Sequence, residues 1–473
     1  MNLTIQEIVN AVGGRLLNPP TNEKKQPAIT RVSTDTRKIS AGALFVPIAG
    51  ERFDGHNYIR AAAESGAVCA FTEKEHPPHD AENSGILLVL VSSTRRALMD
   101  LAGYYRLRHN IKVVAITGSA GKTTTKEMIA HVLAQKYKTK KTLGNFNNDI
   151  GLPLSIFQLE PGDEVLVLEM GMNHAGEIHE LSLVGAPDIA VITHIGDAHI
   201  ENFENREGIL HAKLEITDGL KSDGTVILNG DDPLLTGPIA TEKVKPFKVL
   251  YPAGKNILEA ELVGLQESRC HFNWQGQDIK ITVPLPGAHM VMNAFLAVAV
   301  GMELGCSPGE IAKGFADFTP PGGRLSVETA NDMVIINDVY NANPASMKEA
   351  IKVLCNNDKA SAAAVGLKVA ILGDMSELGH VAKERHEEVG AFAATAGIDT
   401  LITIGALAKH MHEGFYSVSE ENRKPDSSAE HFRTSEEFLA VRGTFLKPGD
   451  TVLVKASRSM AFENITNVLL RSE

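Results

Sequence analysis

Cysteine is scarce in this chain. The four present, Cys69, Cys270, Cys306 and Cys355, are far apart and form no C-x-x-C pair. That pattern argues against a zinc site or a disulfide framework and predicts a reducing compartment. A basic surplus is missing too: the net charge is −12, interspersed along the chain. This argues against a nucleic-acid binder working through a basic patch. It leaves small anionic ligands open, because backbone N–H groups can hold phosphate in an acidic protein. There is no membrane-length apolar run. The longest nearly apolar stretch, Met290 to Met302, contains Asn293 and is too short to span a bilayer. The opening MNLTIQEIVNAVGGRLL spaces Leu3, Ile5, Ile8, Val9 and Val12 like one face of a helix with Glu7 inside, unlike a signal peptide. Internal repeats and an N-K-x-D guanine motif are absent as well. A cytoplasmic protein without nucleic-acid or membrane-spanning character is expected.

The length, 473 residues, exceeds the about 250–300 at which a single core stops growing, so two or three domains are expected. Three segments are read. Residues 1–109 mix short elements: GALFVPIAG reads as a strand, NYIRAAAESGA as a helix ended by glycine, and EHPPHDAENSG as a loop. In residues 110–318, KVVAIT, EVLVLEMG and IAVITHIG are continuous apolar strands with helices between them, as a parallel sheet covered on both faces requires. Residues 247–285 change character, and CHFNWQGQDIKITVPL reads as an antiparallel hairpin extending the same domain's sheet. FTPPGGR is a linker. In residues 319–473, DMVIIND, KVAILGDM, TLITIG and DTVLVKAS alternate with helices, while SVSEENRKPDSSAE reads as a polar surface loop. The expected class is α/β in three domains: a small first domain, a central phosphate-loop domain on a parallel sheet, and a Rossmann-like third domain.

The stretch VVAITGSAGKTTTKEM carries the clearest chemistry. The usual phosphate loop, G-x-x-x-x-G-K-[ST], would place glycine at 116, where Ile116 stands, so this loop is two residues short. It still joins a strand to a helix. Gly118, Ser119, Ala120 and Gly121 would close backbone N–H groups around phosphates, with the helix N-terminus adding its dipole. Lys122 would reach the terminal phosphates and the Thr123 hydroxyl would hold Mg²⁺, with Thr124 next in the loop.

Further candidates sit at strand ends. Glu169 closes EVLVLEMG, where it is either a hard oxygen ligand for Mg²⁺ or a solvated acid. THIGDAHIENF offers His194, Asp197 and His199 in one loop. Lys213 follows in HAKLEI, as a phosphate or salt-bridge partner or as a carbamate ligand. His289 and Asn293 share a helix face at i, i+4, either near an adenine or as capping residues. Arg324 follows the linker glycines. NDVYNANPAS, ILGDMSELG and VKASRSMAFE form three polar loops at one sheet edge, with Asp338, Tyr340, Asn341 and Asn343 in the first. An arginine and a lysine on such a hinged domain would complete the site on closure.

TGSAGKTTT, GNFNNDIGLPLS, EMGMNHAGEI, DAHIENF, AKLEI, NDVYNANPASM and LGDMSELG together resemble the Mur ligases, over all three segments. The short loop is that family's ordinary form. YNANP with LGDMSELG resembles the branch that adds D-alanyl-D-alanine to UDP-MurNAc-tripeptide. The resemblance implies an ATP-dependent acid–amino-acid ligase working through an acyl phosphate, with ATP and Mg²⁺ as cofactors, as a monomer. It implies that Lys122 binds the β- and γ-phosphates, that Thr123 and Glu169 hold one Mg²⁺, and that His199 with a carbamylated Lys213 holds a second. His289 and Asn293 would lie near adenine, and Arg324 and Asp338 would touch the nucleotide. Thr36 and Arg37 resemble the pair near the uridine diphosphate, in a first domain that binds it. Asn145, Asn147 and Asn148 would face the muramoyl-peptide. Tyr340, Asn341 and Asn343 would lie by the dipeptide or nucleotide. His194, Met290, Ala456 and Phe462 depart from the family pattern. A ligase of single amino acids or a folylpolyglutamate synthase is the alternative.

Overall fold

The structure, a computed structural model, describes residues 1–19, 27–50, 53–76, 84–356 and 366–471. Residues 77–83, most of the loop expected in EHPPHDAENSG, lie outside them.

The first segment opens on the expected helix, Ile5–Val12. Thr4 and Glu7 form a reciprocal capping box and left-handed Gly13 ends it. Five strands follow: β1 (Arg15–Leu16), β2 (Arg31–Ser33), β3 (Ala43–Phe45), β4 (Ala67–Thr72) and β5 (Leu87–Leu90). They form one sheet in the order β1-β5-β4-β3-β2, parallel except for β1. Only three residues of GALFVPIAG are strand; Pro47, just beyond, has no N–H to continue a ladder. Helix Thr94–Leu107 buries Ala97, Leu98, Leu101, Ala102 and Tyr105 on one face. Tyr105 Oη then donates to Leu159 O at 2.8 Å and Arg106 Nη2 to Ala186 O at 2.8 Å, which seats this segment on the next.

The central sheet holds β6 (Lys112–Thr117), β7 (Thr139–Lys141), β8 (Val165–Glu169), β9 (Ile189–Ile192), β10 (Thr225–Leu228) and β11 (Lys248–Leu250). All are parallel, in the order β11-β10-β9-β6-β8-β7. β8, β9 and β10 are buried at every residue, which explains their unbroken apolar sequences. Because β8 and β9 both flank β6, the loops leaving these three strands emerge side by side.

Residues 257–283 differ from expectation. The hairpin exists, turning through Gln275 and Gly276, both at positive φ. It does not extend the central sheet. β12 (Ile257–Val263), β13 (Glu267–Trp274) and β14 (Gln277–Val283) form their own three-stranded antiparallel sheet. The alternating burial of β14 shows why: one face packs and the other meets solvent, unlike a strand covered on both faces. Its apolar face lies on helix Ala288–Glu303, where the Phe272 and Phe295 rings stack at 4.5 Å.

The third segment carries β15 (Ser326–Ala330), β16 (Met333–Asn337), β17 (Lys368–Gly373), β18 (Thr400–Ile404), β19 (Ser428–Phe432) and β20 (Thr451–Lys455), in the order β15-β16-β20-β17-β18-β19. Only β15 runs antiparallel. The edge strands β15 and β19 are half exposed and polar, so they lack the apolar signature of the inner four. β19 begins inside SVSEENRKPDSSAE, which holds a short 3-10 turn, Glu420–Asn422, and a strand start rather than loop alone.

Candidate active site

The Gly118–Gly121 loop leaves β6 with Gly118 at φ 146° and Gly121 at φ 81°, conformations that side-chain-bearing residues avoid. Space demands glycine as well. A Cβ on Gly118 would lie 1.9 Å from Thr193 Oγ1, and one on Gly121 would lie 2.6 Å from Asn293 Oδ1. The exit of β9 fixes the loop: Ser119 N donates to His194 O at 2.7 Å and the Thr193 hydroxyl to Ala120 O at 2.5 Å. Helix Lys122–Leu133 starts on Gly121 with no side-chain cap, so its first N–H groups are left for an anion. Thr123 and Thr124 are buried in its first turn. Lys122 Nζ bends back to Gly118 O at 2.7 Å. Crowding by protein lowers the Lys122 pKa, with Glu169 and Glu377 opposing the shift and Arg324 adding to it.

Glu169 ends β8, next to this loop, and is buried. Asn147 Nδ2 donates to its Oε1 at 2.8 Å, while the buried Oε2 accepts no hydrogen bond. A carboxyl oxygen left without a donor in the interior is the chemistry a hard cation satisfies, and with the Thr123 hydroxyl it makes a donor set that fits Mg²⁺. Lys126, fully buried, sits behind it with Nζ 3.7 Å from Glu169 Oε2.

His199, in the loop after β9, takes a left-handed backbone and places Nδ1 2.8 Å from Glu377 Oε2 of the third segment. That contact lowers the Glu377 pKa. Asp197 accepts Arg206 at 2.5 and 2.7 Å and lies 3.3 Å from Arg385 Nε, again across the segment boundary. Lys213, on helix Arg206–Leu214, is 1% exposed. Burial first, and then Lys122, push its pKa well below the usual lysine range. Among the described residues no carboxylate pairs with this buried amine.

The third segment meets the phosphate loop through Arg324, whose Nη2 donates to Thr123 Oγ1 at 3.0 Å. Its guanidinium stacks 3.8 Å over the Tyr340 ring. Asp338 accepts Leu325 N at 3.2 Å and Lys455 Nζ at 2.6 Å, and Lys455 also donates to Asn341 O at 2.8 Å. Asn343 caps helix Pro344–Cys355 through Ser346 N. The three expected polar loops thus interlock, and Ser376 N donates to Ser457 Oγ at 2.8 Å to join the other two.

Other residues lie around this centre. His289 Nδ1 is 3.5 Å from Glu349 Oε2, which holds that carboxyl down at about 2. Asn293 is buried over the phosphate loop. Asn145 is exposed, and Asn148 Oδ1 accepts Gly151 N at 2.9 Å, capping the next helix. Thr36 and Arg37 lie in a 3-10 turn of the first segment, where Arg37 is exposed and pairs with Asp35. No contact among the described residues joins them to the phosphate loop.

The sequence reading passed over Lys126, Glu377, Arg385 and Lys455. Lys126 had a signal: it shares helical spacing with buried Ile129, Ala130 and Leu133, so it faces the core. Glu377 and Arg385 join the site only through contacts across the segment boundary, and Lys455 by pairing with Asp338 where β20 ends.

The chain matches the Mur ligase family catalytic domain over residues 28–106, the Mur ligase middle domain over 116–301 and the Mur ligase glutamate ligase domain over 323–458. It is 39% identical to the UDP-N-acetylmuramoyl-tripeptide–D-alanyl-D-alanine ligase of Bacillus subtilis, covering 99% of this chain and 98% of that one. The chain belongs to the Mur ligase family. This Mur ligase is also 32% identical to the Escherichia coli protein of the same name, over 99% and 98% of the two chains. Among solved structures it resembles MurF of Acinetobacter baumannii, with TM-score 0.88 at 31% identity over 100% and 99% of the chains. It also resembles MurF of Thermotoga maritima in complex with ADP, with TM-score 0.79 at 28% identity over 93% and 96%. As in those folds, the Mur ligase is α/β in three parts. No helix among its described residues is long and apolar enough to cross a membrane.

Proposed function

We propose that this Mur ligase uses ATP to join D-alanyl-D-alanine to UDP-MurNAc-tripeptide, forming UDP-MurNAc-pentapeptide for peptidoglycan synthesis. The observation that carries this reading is the meeting of two strand-end faces, with Arg324 of the third segment on Thr123 of the phosphate loop. The full-length similarity to the named ligases supports the choice of substrates.

The tripeptide carboxylate attacks the γ-phosphorus of ATP, and the bond to ADP breaks. The acyl phosphate so formed offers the dipeptide amine a carbon with a leaving group. The amine nitrogen adds, a proton leaves, and the tetrahedral intermediate expels phosphate to give the amide. No enzyme nucleophile is required. The protein's work is positioning and charge neutralisation. Lys122 and the Gly118–Thr124 backbone hold the phosphates. Arg324 and Lys455 bring further positive charge, with Asp338 orienting Lys455. Thr123 and Glu169 would hold one Mg²⁺, and His199 with a carbamylated Lys213 would hold a second, where the ions would supply positive charge to neutralise the phosphates. His289 and Asn293 lie by adenine. Thr36 and Arg37 bind the uridine diphosphate. Asn145, Asn147 and Asn148 line the muramoyl-peptide path, and Tyr340, Asn341 and Asn343 the dipeptide side.

In this reading residues 1–109 take the UDP-substrate, 110–318 take ATP, and 319–473 take the dipeptide and close on the nucleotide. One chain supplies every group, which supports a monomer. Cys69, Cys270 and Cys306, buried as free thiols, support the cytoplasm.

The test is an assay of the purified protein with ATP, Mg²⁺ and UDP-MurNAc-tripeptide, offering D-alanyl-D-alanine or single amino acids. ADP and the pentapeptide are expected with the dipeptide alone, and ADP release only when both cosubstrates are present. Absence of product with the dipeptide sinks the proposal.

A further inference from the structure

Behind the phosphate loop, Glu169 belongs to a set of four charges whose other three members, Lys126, Glu127 and Lys141, the mechanism above does not use. Lys126 is 0% exposed and Glu169 1% exposed. Lys126 Nζ lies 3.1 Å from Glu127 Oε1, 3.7 Å from Glu169 Oε2 and 3.1 Å from Gly144 O. Glu127 is paired a second time, with Lys141. Two lysines thus balance two carboxylates. Lys141 satisfies Glu127, which leaves Lys126 as the ammonium nearest Glu169. Lys122, also within electrostatic reach of Glu169, directs its Nζ to Gly118 O instead.

A buried carboxylate needs a positive partner, and Lys126 supplies one. At 3.7 Å it compensates the charge of Oε2 without donating a hydrogen bond to it, so the oxygen stays free for a ligand. Oε1 is fixed separately by Asn147. Asn147 and Gly144 belong to the same loop, 142–150, so both restraints on Glu169 are anchored there.

We propose that Lys126 is a resident counter-cation of the metal site: it neutralises and orients Glu169 in the unloaded enzyme, and the divalent ion takes over that role when it binds with the nucleotide. Lys126 is thus a positioning residue, acting through Glu169. The inference rests on the reading of Glu169 as a metal ligand.

The test compares thermal midpoints of full-length wild type, Lys126→Met and Lys126→Arg in EDTA and in millimolar Mg²⁺ or Mn²⁺, without nucleotide. Removing one partner of a buried pair strands the other, so Lys126→Met should melt about 5 °C or more below wild type in EDTA. Divalent ion should restore most of that loss, by binding the exposed carboxylate charge in the folded state only. Wild type and Lys126→Arg should move little between the two buffers. A purely packing role would give the same loss in both, and an equal loss in EDTA and in metal overturns the proposal. The double variant Lys126→Met/Glu169→Gln covers the case of a single variant that does not fold. With no stranded carboxylate it should be more stable in EDTA than Lys126→Met and insensitive to metal. A double variant no more stable than the single one overturns the proposal as well. Glu169→Gln alone separates the two readings: if the Mg²⁺ dependence of its turnover matches wild type, the metal-ligand reading itself has failed.

Discussion

Arg324 Nη2 and Thr123 Oγ1 are 3.0 Å apart although 201 residues separate them in the chain. The guanidinium reaches the phosphate loop with its carbon 3.8 Å from the centroid of the Tyr340 ring, so the ring restrains it and its charge arrives already placed. Arg324→Ala should lower kcat/KM for ATP by about 10- to 100-fold, the worth of one charged hydrogen bond. Arg324→Lys should recover little, because an ammonium neither stacks flat nor forks. Steady-state kinetics with ATP as the varied substrate check this, and a lysine variant as active as wild type would show that the stack is irrelevant.

Gly118→Ala should damage the loop far more than an alanine elsewhere on the surface. The added Cβ meets Thr193 Oγ1 at 1.9 Å, and φ 146° suits no L side chain. Thr193 must then give up its bond to Ala120 O. Calorimetry should find nucleotide binding weakened at least tenfold, with a lowered thermal midpoint.

Lys122→Ala should abolish turnover while sparing the affinity for UDP-MurNAc-tripeptide. The lysine belongs to the phosphate loop, whereas the uridine diphosphate is assigned to the Thr36–Arg37 region. Titration calorimetry with the UDP-substrate decides it, and loss of that binding would contradict the assignment of segments.

Lys213 should make stability rise with pH. Burial holds its folded-state pKa well below the usual lysine range, while the unfolded chain keeps the proton up to about 10.4. The unfolded state therefore binds more protons between those two values, and stability climbs across that window. Lys213→Met has no such group. In CO₂-free buffer it should melt several degrees above wild type at pH 7, and the gap should close as pH approaches 10. A gap independent of pH would place the lysine in a charged state instead.

Lys213→Ala should lose activity and regain part of it with added short carboxylates. A deprotonated amine is the form that attacks the carbon of CO₂, losing a proton to give the carbamate, and a small acid can stand where that carbamate would lie. Activity titrations with acetate or formate give the answer, and no recovery at any concentration counts against the carbamate.

Much of the site was legible because its signals are short-range. Gly118, Gly121 and Lys122 fall within five residues, between an apolar strand and a helix, and turn chemistry alone requires that arrangement. Glu169 stood out as the acid closing an otherwise apolar strand. The separate sheet of β12–β14 was not legible: an alternating strand announces one buried face but not which neighbour covers it. Asn148 and Asn343 show a further limit, since their side-chain oxygens also accept backbone N–H groups where the following helices begin, contacts that no polar-loop pattern announces.

The sequence by itself determined the three-part α/β plan, the shortened phosphate loop and the ligase family, since periodicity, turns and motifs are local properties. Tertiary structure decided what those residues do to one another. The order β8-β6-β9 sets Glu169 and Thr193 on either side of the loop. Burial set Lys126 beside Glu169 and pushes the Lys213 pKa down. The approach of the third segment put Arg324 on Thr123 and Glu377 on His199. These depend on which distant elements pack together and how much water they exclude, and no local pattern encodes either.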